Sequence, residues 1–197
     1  MNKRIIVIGS GGHAKSVIEV IESMREFEIM GLIGLKEEVN KKILGYKVIG
    51  SDDDLVRLRK ICSNSFIGIG QIKSSQKRLI ISNKLKELDF VFKTIVASTA
   101  MVSNYSDIKS GTFIGHGAIV NAGAKIGENC IINSKALIEH DSQIGDFCHI
   151  STGALINGGV EVGDHSFIGS GTIIREGIRI PEGTIVPAGK TILSWPL

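Results

Sequence analysis

Stepping along the chain six residues at a time from Val102 meets an Ile or a Val at every stop as far as Ile192. Four residues beyond these aliphatics runs a second register, mostly of small side chains: Ser106, Thr112, Ala118, Ala124, Cys130, Ala136, Ser142, Cys148, Ala154, Ser166, Thr172 and Thr184, with Val160 and Ile178 as larger exceptions. A helix repeats near 3.6 residues and a simple strand at 2, so a strict period of six fits neither. It fits a three-sided prism, in which a short strand on each face turns one aliphatic inward and a tight corner follows. Stacked coils then bury a continuous column of Ile and Val, and the small register fills the corners. The run is uninterrupted and predicts about five coils with no loop expelled from a corner. A solenoid of this kind has open ends and flat, moderately apolar faces, which predicts self-association, with a closed homotrimer as the expected solution.

The composition agrees with a coiled β architecture. Aromatics make up only 5% of the 197 residues while glycine reaches 24, so aliphatic side chains must fill the core around many tight turns. A net charge of +3, with both signs interspersed along the N-terminal half, argues against nucleic acid as a partner. The apolar run Ile5 to Ile8 behind Met1-Asn2-Lys3-Arg4 ends at Gly9, too short for a secretory core or a membrane span, which predicts a cytoplasmic protein with no membrane partner. Cys62, Cys130 and Cys148 have neither CxxC spacing nor an even count, so neither disulfides nor structural zinc is expected. Cys130 and Cys148 fall in the small-residue register and read as packing residues.

The N-terminal half has a different grammar. Lys3 to Ile8 reads as a buried strand, followed by the turn Gly9-Ser10-Gly11-Gly12-His13-Ala14-Lys15 and an amphipathic helix through about Met24. Strand, glycine turn and helix make a phosphate-binding geometry, because glycines let a ligand approach the backbone and the helix N-terminus offers unpaired amides. Further strands are predicted at 27–33, 65–69 and 90–96, with helices starting near Ser51, an N-cap followed by three acids, and near Ser74. The alternation predicts a small parallel sheet, a Rossmann-like α/β domain over residues 1–97 preceding the β-helix of residues 98–197.

The hexads Ile114-Gly115-His116-Gly117-Ala118, Ile126-Gly127-Glu128-Asn129-Cys130 and Ile144-Gly145-Asp146-Phe147-Cys148 resemble those of the hexapeptide-repeat acyltransferases, which are left-handed parallel β-helices. The order of an α/β domain and then hexads, with Gly-Gly-His in the first turn and Ile-Gly-Ile-Gly at Ile67 to Gly70, resembles the bacterial nucleotide-sugar acetyltransferases and the related sialic acid O-acetyltransferases. That resemblance implies acetyl-CoA as donor, no metal, and a UDP-linked 4-amino-4,6-dideoxy sugar as acceptor in bacterial glycan biosynthesis. It places Gly11, Gly12, His13 and Gly70 around the nucleotide sugar. One departure stands out: such relatives carry one or two Asp residues just after the second strand, whereas this chain reads Gly31-Leu32-Ile33-Gly34-Leu35, with Glu37 and Glu38 the nearest acids.

Acetyl transfer from a thioester needs a base for the acceptor proton and donors for the developing oxyanion. A histidine with its ordinary pKa of about 6.5 is mostly neutral in the cytosol and suits the first task. The segment Ser134-Lys135-Ala136-Leu137-Ile138-Glu139-His140-Asp141 matches the family's catalytic segment, which puts His140 in the place of the general base and Asp141 in that of its supporting acid. Adjacent strand residues point to opposite faces, so the two can meet only at a corner. The same resemblance gives His149 to acetyl-CoA, the Gly158 backbone N–H to the acetyl carbonyl, Asn133 to the acceptor, and Ser170 and Ala188 to the CoA groove. His116 and His165 read as surface residues. His140, His149 and His165 are 9 and 16 residues apart and form no close pair, which disfavours a zinc site of the β-helical carbonic anhydrase kind. Family enzymes often end in a Gly-x-Pro-Ala-Lys segment, whereas Val186-Pro187-Ala188-Gly189-Lys190 departs from it, which leaves two expectations, a shorter CoA groove or a solenoid end capped by Trp195.

Three functions are compatible with these residues: N-acetylation of a nucleotide-linked amino sugar, O-acetylation of a sialic acid or other sugar hydroxyl, and a non-catalytic trimeric scaffold that keeps the fold.

Overall fold

The computed structural model describes residues 3–195, so positions 1, 2, 196 and 197 of the two expected domains lie outside the described residues. Residues up to Gly70 together with Gln76–Ile95 form one compact unit, and Gln71–Ser75 with the chain from Val96 onward form a second.

In the first unit, β1 (Lys3–Ile8), β2 (Phe27–Ile33), β3 (Lys42–Ile43), β4 (Tyr46–Gly50), β5 (Asn64–Ile67) and β6 (Val91–Phe92) make one sheet in the order β3-β4-β2-β1-β5-β6. All neighbours are parallel except β3 and β4. Ile5 to Ile8 are fully buried because helices cover both faces. Ile6 and Ile8 pack with Leu55 and Leu58 of α2 (Leu55–Arg59) and Ile81 and Leu85 of α3 (Gln76–Glu87). Val7 faces the other way, toward Ala14 of α1 (Gly12–Met24), with Gly68 pressed between them. Ser51 stands where an N-cap was expected, but the cap bond runs in reverse: its N–H donates to Asp54 Oδ2 at 2.9 Å, over a 3-10 turn that leads into α2.

Two features depart from the sequence reading. The expected strand 90–96 is two strands in different sheets, β6 and β7 (Ile95–Val96), the second belonging to the β-helix. The hairpin β3–β4 was not anticipated, because its turn is Leu44-Gly45, with φ of 48° and 88°. A leucine is an unusual occupant of a left-handed turn position and gives no turn signal.

The second unit is a left-handed parallel β-helix whose two-residue strands fall into three sheets. Each residue pairs with the one eighteen further on: Ile132 with Ile150, Ile138 with Ile156, Ile144 with Val162. The aliphatic register from Ile114 to Ile192 is buried in one continuous core with Ala118, Ala124, Cys130, Ala136, Cys148 and Ala154 in the corners, and half-buried Trp195 packs against it. Cys130 Sγ and Cys148 Sγ donate to the carbonyls of Gly145 and Gly163 at 3.0 and 3.1 Å.

A third register is geometric. Every sixth residue from 111 to 189 has a positive φ, and most are glycine, but Asn129, Lys135, Asp141, Phe147 and His165 adopt it too. The three sheets also differ outwardly. One carries a ladder of Met101, Ile119, Leu137, Leu155 and Ile173, paired in register, with Met101 and Ile173 exposed and the three between them half-buried. Another carries Asp107, Lys125, Gln143, Glu161 and Arg179 in the equivalent places.

Candidate active site

The corner after the strand Leu137–Ile138 holds Glu139, His140 and Asp141. Asp141 adopts φ of 61°, and this left-handed turn folds its side chain back beside its neighbour instead of leaving it on the opposite face. Asp141 Oδ2 lies 2.9 Å from His140 Nδ1. A carboxylate only accepts, so the neutral ring carries its proton on Nδ1 and leaves the Nε2 lone pair open. This hydrogen bond raises the His140 pKa above its ordinary value against an opposing effect of burial, and the charges of Asp141 and Glu139 add lesser contributions in the same direction as the bond. The pair is well exposed, at 66% and 74% of the side-chain surface.

Glu139 holds the corner from behind. Its Oε2 accepts from Asn121 Nδ2 at 2.9 Å, one coil below, and from the His140 N–H at 3.2 Å. One coil above lies Gly158, where a Cβ would stand 2.7 Å from His140 Nε2. The imidazole edge therefore rests over bare backbone. Among the described residues the Gly158 N–H has no hydrogen-bond acceptor, whereas its carbonyl accepts from Gly177 N at 3.0 Å. An open lone pair and a backbone N–H without an acceptor thus belong to neighbouring residues of stacked coils, the two functions acyl transfer needs.

His149 and Asn133 are brought together elsewhere in this unit. His149, 7% exposed, bonds through Nδ1 to the Gln71 carbonyl, which fixes Nε2 as an acceptor 3.5 Å from Asn133 Nδ2. Asn133 Oδ1 takes the Ser134 N–H. Gln71 is buried as well and donates from Nε2 to the Phe147 carbonyl at 2.8 Å. Ser170 Oγ pairs with Ser151 Oγ at 2.9 Å, and Ala188 is exposed at a later corner. His116 and His165, expected at the surface, are half-buried: His116 Nδ1 meets Thr99 Oγ1 at 2.8 Å, and His165 meets Ser75 Oγ at 3.0 Å while stacking on Phe147.

In the first unit, Gly11, Gly12, His13 and Gly70 line one cavity of 680 Å³. It opens at the carboxyl ends of β1, β2 and β5, where ligands bind in parallel sheets. Gly11 and Gly12 face open space, and the amides that begin α1 have no side-chain cap. Lys36, Glu38, Asp53, Lys77 and Ile80 line it too; Glu38 had been noted only as one of the nearest acids after the second strand, and the others were missed by sequence reasoning, since they come from three separate segments with no motif. Lys36 Nζ and Asp53 Oδ2 form an ion pair at 2.7 Å, which raises the pKa of the first and lowers that of the second through the shared hydrogen bond. Among the described residues no three His, Cys, Asp or Glu side chains are grouped to hold a metal ion.

Comparison with known proteins finds two matching families. The PglD N-terminal domain family matches residues 4–85, and the bacterial transferase hexapeptide repeat family matches residues 105–140 and 141–176. The structure is similar to that of PerB, the perosamine N-acetyltransferase from Caulobacter crescentus solved with CoA and GDP-perosamine, with a TM-score of 0.90, 30% identity, and coverage of 96% of this chain and 88% of that one. It is also similar to the acetyltransferase domain of PglB from Neisseria gonorrhoeae solved with acetyl coenzyme A, with a TM-score of 0.87, 26% identity, and coverage of 98% and 93%. WeeI from Acinetobacter baumannii shares the fold at a TM-score of 0.75 and 22% identity, covering 96% of each chain. No curated protein sequence matched.

Proposed function

Since the chain belongs to the hexapeptide-repeat sugar acetyltransferases that carry a PglD-type N-terminal domain, we propose that it moves acetyl from acetyl-CoA to the amino group of a nucleotide-linked 4-amino-4,6-dideoxy sugar, with His140 as general base. The observation that supports this reading is the corner in which Asp141 holds His140 Nδ1 at 2.9 Å while His140 Nε2 lies against the bare backbone of Gly158 one coil above. Residues 1–97 hold the nucleotide sugar, through Gly11, Gly12, His13 and Gly70, and residues 98–197 perform the transfer. Asn133 orients the acceptor, and His149, Ser170 and Ala188 belong to the coenzyme's side. The nucleotide is UDP in this reading; the GDP-linked ligand of PerB makes GDP its rival.

His140 Nε2 takes the proton from the acceptor nitrogen as that nitrogen bonds to the acetyl carbon. The Gly158 N–H donates to the carbonyl oxygen as it gains charge, and Asp141 stabilises the imidazolium that forms. His140 then returns the proton to the departing sulfur, leaving amide and free CoA. Acetyl-CoA as donor supports a cytoplasmic location, and among the described residues no helix is long and apolar enough to cross a membrane. The exposed ladder from Met101 to Ile173 supports a homotrimer, since a chain of this size would otherwise leave that apolar stripe in water.

The test is release of CoA from acetyl-CoA by the purified protein with UDP-, GDP- and dTDP-linked 4-amino sugars and with free sialic acids. Turnover with a UDP-linked amino sugar is expected. Turnover with sialic acid alone would replace N- by O-acetylation, and failure to bind acetyl-CoA at all would favour the scaffold.

A further inference from the structure

The acid missing after β2 is replaced in space. Glu38 lies four residues beyond Gly34, in a 3-10 turn at the cavity wall, and its side chain folds back over Gly34. Glu38 Oε2 accepts from Ser10 Oγ in the glycine turn at 2.6 Å and from the Leu35 N–H at 2.8 Å. A Cβ on Gly34 would stand 2.8 Å from that same oxygen and 3.0 Å from Ser10 Oγ. Gly34 has no positive φ, so it is bare because the Glu38 carboxylate fills the place a side chain would take, rather than because the backbone demands glycine.

Both hydrogen bonds fall on Oε2, and Oε1 has no hydrogen-bond partner among the described residues. Of the other acids nearby, Asp53 pairs with Lys36 and Asp54 accepts from the Ser51 N–H and meets Arg57, while Asp52, which also lines the cavity, is bound through its backbone carbonyl, which accepts from Lys84 Nζ, and not beside the glycine turn as Glu38 is. The two donors lower the Glu38 pKa and keep it ionised at neutral pH. An ionised carboxylate can only accept, so its partner on a ligand must be a hydroxyl or an N–H.

The topology decides between these. β2 is the direct neighbour of β1, so a residue just past β2 stands beside the turn whose amides face a phosphate. In a sheet of this kind an acid at that point is one sugar away from the phosphates and meets the ribose, not the base. Resting on the nucleotide-sugar reading above, we infer that Glu38 is the specificity-determining residue for the nucleotide's ribose: its Oε1 accepts the 2′-hydroxyl, so the acceptor is carried on a ribonucleotide rather than a deoxyribonucleotide.

The experiment is calorimetric titration of the full chain with UDP, GDP and their 2′-deoxy counterparts. Whichever base binds, the ribo form is expected to bind about tenfold or more tightly than the deoxy form, the worth of one hydrogen bond to a charged group. Glu38→Ala should bring the ribo form down to the affinity of the deoxy form and leave the latter unchanged. Adding Gly34→Asp to Glu38→Ala places a carboxylate in the vacated space and should restore part of the preference. Equal affinity of ribo and deoxy forms in the wild type overturns the inference and needs no variant. So does a preference that survives in a folded Glu38→Ala protein. Absence of binding by all four nucleotides overturns the nucleotide-sugar reading itself, a result distinct from equal binding.

Discussion

At the corner of residues 139–141, adjacency in sequence becomes contact only because Asp141 takes a left-handed conformation that costs an ordinary residue about 1–3 kcal/mol. With His140 as the proposed base, His140→Ala should lower kcat about 10²- to 10⁴-fold with its melting temperature unchanged. Asp141 raises the His140 pKa, so kcat/KM should climb with pH through a value above 6.5. Asp141→Asn removes the cause and should move that limb to lower pH while reducing the plateau, which a pH–rate profile checks. Gly158→Ala pushes a methyl into the space of Nε2 and should cost about 10²-fold in kcat with little effect on acetyl-CoA binding. The Glu139-His140-Asp141 segment was legible as a motif, and Gly158 could be counted as one coil above it. The brace from Asn121 to Glu139 was not, because an asparagine eighteen residues upstream has no local signal.

For the elements, the corner geometry explains where glycine is and is not required. At Gly145 a Cβ would overlap Asp164 Oδ1, which accepts the Asp146 N–H from the coil above at 2.7 Å. Gly145→Ala should therefore destabilise by about 1–3 kcal/mol in urea unfolding. Ile150→Ala, in the middle of the aliphatic column, should cost about 2–5 kcal/mol. The column and the small corner register could be read from the sequence because burial selects residue types strictly. The register of positive φ was hidden, since Asn129, Lys135, Asp141 and Phe147 break the glycine pattern over four successive corners. In the α/β unit the buried strands were legible for the same reason of burial, and the glycine turn by its residue types alone. The cavity wall was not, because Lys36, Glu38 and Asp53 are brought there by the sheet order and not by spacing.

At the scale of the whole molecule, the three outer faces predict different behaviour. The apolar ladder should support the proposed trimer, and Leu155→Glu, which puts a charge within it between Leu137 and Ile173, should shift sedimentation toward the monomer. Glu161→Ala, on the charged face where it meets Arg179 at 3.1 Å, should leave the assembly unchanged. Open ends and flat faces led to the expectation of a trimer, but which face is apolar follows only from the outward residues taken in steps of eighteen. That step also limits how such a chain can change its length. Deleting one residue from a coil would slide every later side chain out of its column, turning core outward and corners into strands. A whole coil can be lost or gained with every remaining pair intact, so the domain is measured in discrete units, and the reach of its surface beyond His140 can be lengthened or shortened only in steps of about 4.8 Å.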